Sequence, residues 1–241
     1  MRNIVGSNIL NILIILGVTA LITNVAIQKT TFKYEIPYML LITAVLLVMG
    51  MTGNEITFME GVILWILFIA YLLYLYLLAK KGNDGGDEQS VKLYPVWKCL
   101  LFIVLGGVCV VIGSQLVVNG ATTIARACGM SERFIGLTIV AFGTSLPELV
   151  TSVSAARKGN AGIAIGNIVG SNIFNILFVI GTVALICPVP FESRFVIDTV
   201  VAILCGVLLW GGTIRHKELR KPCGVVMLLC YAAYFVYLAV M

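Results

Sequence analysis

Charge is scarce in this chain. Of its 241 residues only 11% are Asp, Glu, Lys or Arg, whereas 60% are hydrophobic, and the mean hydropathy is +1.07. A soluble domain carries about a quarter charged residues and no more than half apolar ones, and a chain of this size in water could not hide so much apolar surface. Cytosolic enzymes and nucleic-acid-binding domains are excluded, and the composition is that of a polytopic membrane protein. Histidine is almost absent too: His216, in a basic loop, is the only one, and it reads as a solvated loop residue. The seven cysteines lie in or beside apolar stretches without metal-ligand spacing, which makes them small packing residues rather than a disulfide framework or a metal site. The net charge of +5 is accounted for by basic loops on one membrane face.

A membrane-crossing helix needs about 20 mainly apolar residues. That criterion gives eight spans, near 4–24, 36–53, 57–79, 97–118, 133–156, 161–186, 195–211 and 222–240. The one long hydrophilic stretch, 80–95, is too short to fold as a domain, and its acids do not have calcium-loop spacing. The odd-numbered connections hold twelve basic residues, among them Lys80, Lys81, Arg215 and Lys217, against four on the other side, Arg2, Arg126, Arg133 and Arg194. This asymmetry puts the richer loops and the 80–95 linker in the cytoplasm and both termini outside a plasma (inner) membrane. Tyr71, Tyr74, Tyr94 and Trp97 fit interfacial belts. A signal-peptide reading of the N-terminus fails on Asn3, Asn8 and Asn11, which interrupt the apolar run.

An internal repeat organises the chain. Residues 3–22 (NIVGSNILNILIILGVTALI) and 167–186 (NIVGSNIFNILFVIGTVALI) match at 14 of 20 positions with an offset of 164. Gly61, Ala70, Tyr71 and Tyr74 match Gly224, Ala233, Tyr234 and Tyr237 at an offset of 163. Five crossings separate the copies, so they run in opposite directions, the inverted-topology arrangement of secondary transporters whose site lies at the midplane between halves. The expected fold is an all-α polytopic membrane protein of about eight transmembrane helices on an inverted-topology repeat with a truncated first half. Its divisions are 1–79, a shortened first half-repeat of three helices; 80–95, a cytoplasmic linker; and 96–241, a complete second half-repeat of five helices. Repeat logic asks for two further helices before Asn3, and Arg2 stands where the second copy has Gly166.

The fifth span carries the chemistry, in Ala141-Phe142-Gly143-Thr144-Ser145-Leu146-Pro147-Glu148. Residue 145 is midway between Arg133 and Arg157, so this polar run lies at the bilayer centre, where a carboxylate costs at least a few kcal/mol unless compensated. Pro147 lacks an N–H and collides with the carbonyl of Gly143, which should open the helix, and open backbone is tolerated only where it lines a cavity or is buried in protein. Helical spacing puts Ala141, Thr144, Ser145 and Glu148 on one face. It likewise groups Ser171 with Asn175 in span six, and Ser7 with Asn11 in the first copy. These oxygens are hard ligands suited to Ca²⁺ or Na⁺. Gly166 and Gly170, four apart, read as a close helix-packing pair.

GTSLPE followed by GNIVGSNIFN resembles the paired alpha-repeat motifs of the cation/calcium antiporter superfamily, in its sodium/calcium exchanger branch. That family has ten helices, of which this chain resembles the third to the tenth. The resemblance implies an antiporter moving Na⁺ against Ca²⁺ with no cofactor and no enzymatic activity. Glu148 would be the central carboxylate; Thr144, Ser145 and Ser171 would give hydroxyls, Asn175 an amide, Ala141 a backbone carbonyl, and Ser7 and Asn11 the other half's share. Asn175, where some relatives have Asp, argues against K⁺ coupling. The family's second carboxylate belongs to a motif ahead of the first copy. Glu148 alone leaves a net charge of +1 around Ca²⁺, so this polypeptide by itself is expected not to exchange Ca²⁺, and either missing N-terminal helices or a homo-oligomer would have to complete it. The expected partners are membrane lipid, Ca²⁺ and Na⁺, and no nucleic acid. The alternatives are a proton/calcium antiporter and a transport-inactive membrane scaffold.

Overall fold

The computed structural model describes residues 2–82, 95–130, 135, 139, 141–158 and 161–240. Most of the predicted linker, and 133–134, 136–138 and 140 of the fifth predicted span, lie outside the described residues. Among the described residues the regular structure is helical apart from four two-residue strands. Helix α1 (2–22) is one rod with a π-helical middle, Asn11–Leu16. It is followed by α2 (31–53), α3 (Phe58–Gly82), α4 (Val96–Ala127), a short α5 (Ala141–Thr144) and α6 (Leu146–Arg157). Then come α7 (161–186), whose π segment is Asn175–Ile180, α8 (Ser193–Ile214) and α9 (Lys221–Val240). Among the described residues seven helices are long and apolar enough to cross a membrane. The fifth predicted span is not among them; part of it lies outside the described residues, and its described part is broken at Ser145.

Two tiny ladders demonstrate the inverted relation. Strand β1 (Val25–Ala26), after α1, pairs antiparallel with β4 (Glu218–Leu219), just before α9. Strand β2 (Glu55–Ile56), just before α3, pairs antiparallel with β3 (Val189–Pro190), after α7. A single crossing, α2, separates β1 from β2, so the ladders lie at opposite ends of the bundle. Helices α1 and α7 therefore finish at opposite ends. Each ladder joins one repeat to the other, and the unpaired backbone left where helices stop is satisfied across the repeat boundary.

Packing follows the same exchange. Helix α3 lies along the last turns of α7, and α9 along the last turns of α1. Apolar association has little driving force between helices in lipid, so close approach through small residues and interhelical hydrogen bonds decides which faces meet. A Cβ on Gly224 would stand 2.8 Å from the carbonyl oxygen of Gly17; one on Gly61 would stand 2.9 Å from the Ala184 Cβ and 3.1 Å from the carbonyl oxygen of Gly181. These glycines are repeat equivalents, Gly17 of Gly181 and Gly61 of Gly224. The expectation for Gly166 and Gly170 is corrected: a Cβ on either would meet nothing within 4 Å. Their space is open, and the tight crossing, at Gly181 and Ala184, is about three to five turns further along the same helix. The core is the contact zone of α1 with α7, where Ile9, Ile15, Leu16, Ile165, Ile168 and Ile173 are fully buried. Helix α4 is exposed along nearly its whole length, and Ala125 is its buried residue.

Candidate functional site

The break in the fifth predicted span is the centre of the site. Helix α5 ends at Thr144, Ser145 adopts φ −98° and ψ 3°, and α6 starts at Leu146 with Pro147 in its first turn. Proline has no N–H to offer the Gly143 carbonyl, which frees that oxygen from the helical ladder. The sequence expectation that Ala141, Thr144, Ser145 and Glu148 share one continuous helical face is therefore revised. Ser145 is a joint between two helices, and Glu148 lies in the first turn of the second. The positive end of α6 favours a carboxylate there. A cavity of about 310 Å³ adjoins the break, bounded by Gly143 and Pro147 on one side and by Ser114, Gln115 and Asn119 of α4 on the other. This is the lined space that opened backbone requires in a membrane.

From this joint the predicted residues converge. Ser145, 1% exposed, brings its Oγ to 3.0 Å from the Oγ of Ser7 on α1. Ser171 Oγ donates to Glu148 Oε1 at 2.9 Å. Among the described residues Glu148 Oε2 is buried without a hydrogen-bond partner, and the same holds for Asn11 Oδ1. Both are acceptors, so the cluster has unused lone pairs. Below it, Asn167 Nδ2 donates to Thr151 Oγ1 at 2.9 Å, tying α7 to α6. Of the eight residues read from the sequence, Ser7, Asn11, Ser145, Glu148, Ser171 and Asn175 gather here. Ala141 and Thr144 are on α5 beside them, with side chains outside the described residues.

Two site residues were missed, Asn8 and Asn172, equivalent at the 164 offset. Asn172 Nδ2 donates to the Asn8 carbonyl at 3.1 Å, and Asn8 Nδ2 to the Asn172 carbonyl at 3.4 Å. Asn11 Nδ2 donates to Asn172 Oδ1 at 3.0 Å, and Asn175 Nδ2 to Asn8 Oδ1 at 2.9 Å. The four amides form a two-fold brace between α1 and α7. Asn8 and Asn172 use both ends of their side chains in it. Asn11 and Asn175 contribute only their nitrogens, which keeps their Oδ1 atoms out of the brace. The π segments of α1 and α7 begin at these two residues, Asn11 and Asn175. Such π turns are typical of functional positions in helices. The signal was present in the sequence, since Asn8 and Asn172 are identical between the copies.

The donor set consists of hydroxyl, amide and carboxylate oxygens. Among the described residues no three His, Cys, Asp or Glu side chains converge as a metal site. One carboxylate with several neutral oxygens suits a hard cation in transit rather than a tightly held transition metal.

Comparison with known proteins agrees with that chemistry. The family described as sodium/calcium exchanger protein matches residues 1–77 and 98–240. The chain belongs to this family. As a member it is similar to the sodium/calcium exchanger MaX1 of Methanosarcina acetivorans, at 31% identity over 98% of this chain and 79% of MaX1. It is also similar to the inner membrane protein YrbG of Escherichia coli, at 33% identity over 92% of this chain and 71% of YrbG. The solved sodium-calcium exchanger NCX_Mj superposes with a TM-score of 0.79 at 33% identity, covering 97% of this chain and 75% of NCX_Mj. This family member is thus an integral membrane protein of a cation/calcium antiporter lineage.

Proposed function

We propose that this protein takes part in Na⁺/Ca²⁺ antiport, with both ions competing for one set of oxygens. Those are the carboxylate of Glu148, the hydroxyls of Ser7, Thr144, Ser145 and Ser171, the Oδ1 atoms of Asn11 and Asn175, and the backbone carbonyl of Ala141. The observation that carries this reading is the pair of buried acceptors that have no donor among the described residues, Glu148 Oε2 and Asn11 Oδ1. A proton could neutralise the carboxylate, but an amide oxygen is not protonated near neutral pH; a metal cation serves both. This favours Na⁺ over H⁺ as the coupling ion. The open space beside Gly6 and Gly170, the residues preceding Ser7 and Ser171, leaves room for an ion to reach the hydroxyls. We place the basic connections and the 80–95 linker in the cytoplasm and both termini outside an inner membrane, from the twelve-to-four distribution of basic residues.

One carboxylate leaves Ca²⁺ with a net charge of +1, so Ca²⁺ binding by this chain alone is weak and exchange by it alone does not occur. The test is ⁴⁵Ca²⁺ binding to the purified chain, competed by Na⁺ or by lowered pH, in wild type and Glu148→Gln. The expected result is displacement by Na⁺ at constant pH and at least about tenfold weaker binding in the variant, equal to ~1.4 kcal/mol. Binding that ignores Na⁺ and falls only with pH would replace this reading by proton coupling. Binding unchanged in Glu148→Gln would remove the site altogether. Sustained Na⁺-driven ⁴⁵Ca²⁺ uptake into proteoliposomes holding only this chain would overturn the charge argument.

A further inference from the structure

A second buried carboxylate lies far along the chain from the ion cluster. Glu35, 8% exposed, closes a cavity of about 240 Å³ between the start of α2 and the later turns of α3. The rest of the lining is Tyr34, Tyr38, Ala70, Tyr71 and Tyr74. The four rings form a continuous series. Tyr38 stacks on Tyr71 at 5.6 Å, Tyr71 on Tyr74 at 6.2 Å, and Tyr74 meets Tyr34 at 6.1 Å. Tyr38 is anchored by its hydroxyl, which donates to the Leu67 carbonyl at 2.8 Å. The Tyr74 hydroxyl is buried without a partner among the described residues. Among the described residues no lysine or arginine pairs with Glu35; Lys33 instead stands over the Tyr34 ring, 5.3 Å from its centroid.

The repeat supplies an internal control. At the 163 offset Glu35 corresponds to Asp198, and Tyr71 and Tyr74 to Tyr234 and Tyr237. There the acid is held by a tyrosine across the helix pair, the Tyr234 hydroxyl donating to Asp198 Oδ1 at 2.8 Å, whereas Glu35 has a side-chain hydrogen bond only from Thr31 of its own helix. The equivalents of Tyr34 and Tyr38 are Ile197 and Val201. The first repeat thus adds two tyrosines and leaves its acid facing a cavity. Interfacial anchoring explains tyrosines near a membrane surface but not a buried carboxylate among them. A buried carboxylate without a cationic partner is costly, and aromatic faces around it attract a cation. The lining is otherwise apolar, which suits a charge carried on a hydrocarbon rather than a bare ion.

We propose that this cavity binds a primary ammonium group on an aliphatic chain, the ammonium donating to Glu35 and the Tyr74 hydroxyl oxygen and lying against the tyrosine rings. Its sources are the headgroup of an ethanolamine phospholipid or a free alkylammonium. The site is independent of the ion-exchange reading. The test is native mass spectrometry of the purified chain from nanodiscs holding equal phosphatidylethanolamine, phosphatidylcholine and phosphatidylglycerol. A parallel thermal-shift titration with free ethanolamine separates the two sources. The expected result is a preference for phosphatidylethanolamine of about fivefold or more, lost in Glu35→Gln and retained in Asp198→Asn. The double substitution Tyr34→Ile, Tyr38→Val copies the second repeat and should abolish the preference in a chain that still folds, which covers a misfolded Glu35→Gln. Ethanolamine stabilisation without lipid preference would also support the ammonium site and assign it to the free amine. Equal retention of the three lipids with no ethanolamine shift, or an unchanged preference in both variants, would overturn it.

Discussion

Asn8 and Asn172 do the same thing for each other across the α1–α7 crossing, each donating to the other's backbone carbonyl and accepting from the other repeat's second asparagine. Glu35 and Asp198 are equally equivalent in sequence, yet one faces a cavity and the other accepts a tyrosine hydroxyl. The contrast lies in what each pair is asked to do. At the crossing, two antiparallel helices share one interface, so any change on one side must be answered on the other. At the outer pairs, the tyrosines that each acid faces come from its own repeat, and the two are free to diverge.

The largest break in this comparison comes from the brace. Asn8→Ala and Asn172→Ala each leave one asparagine amide and one backbone carbonyl without their partner. Each should lower stability by about 2 kcal/mol, a middle value between buried-amide and membrane-helix hydrogen-bond scales. Denaturant titration in mixed micelles should find the two losses equal to within ~0.5 kcal/mol, near the usual additivity error. A loss at one position with none at the other would end the claim of two-fold function.

Next comes the glycine crossing. Gly224→Ala and Gly61→Ala force a methyl against backbone and small side chains of the other repeat, and each should cost about 1–3 kcal/mol through overpacking. Gly166→Ala and Gly170→Ala enter open space and should stay within about 0.5 kcal/mol of wild type. Thermal unfolding of the four variants side by side sharpens the assignment of the tight contact; the reverse order would refute it. The smallest effect separates the acids. Tyr234→Phe removes the bond to Asp198 and should cost about 1.5 kcal/mol, whereas Tyr71→Phe, at the equivalent position beside a Glu35 that is bonded by Thr31 instead, should cost under about 0.5 kcal/mol.

Much of this was legible in the sequence, for identifiable reasons. Spans could be read because an apolar run of the right length has few alternatives in a chain so poor in charge. The break at Ser145 followed from Pro147, whose missing N–H acts locally whatever surrounds it. Ser7, Asn11, Ser171 and Asn175 were found because the repeat displays them twice. Asn8 and Asn172 are displayed twice as well. Their role as the brace depends on the register of α1 against α7, which no local pattern contains. The glycines make the same point. Gly166 and Gly170 have the spacing of a packing pair and meet nothing, while Gly17 and Gly224 lack that spacing and nearly touch.

The amino-acid order alone determined that the chain lives in a bilayer, that two antiparallel copies build it, and that one carboxylate stands deep among hydroxyls beside a helix-breaking proline. Each of these depends on transfer energies or backbone geometry within a single segment. Only the tertiary structure decided which asparagines brace the frame with both ends of their side chains and which with their nitrogens alone, which glycines let helices touch, and which of two equivalent acids is left facing a cavity. Those outcomes depend on the relative placement of segments more than a hundred residues apart, where a shift of one residue along a helix turns a side chain by about 100° and exchanges one partner for another.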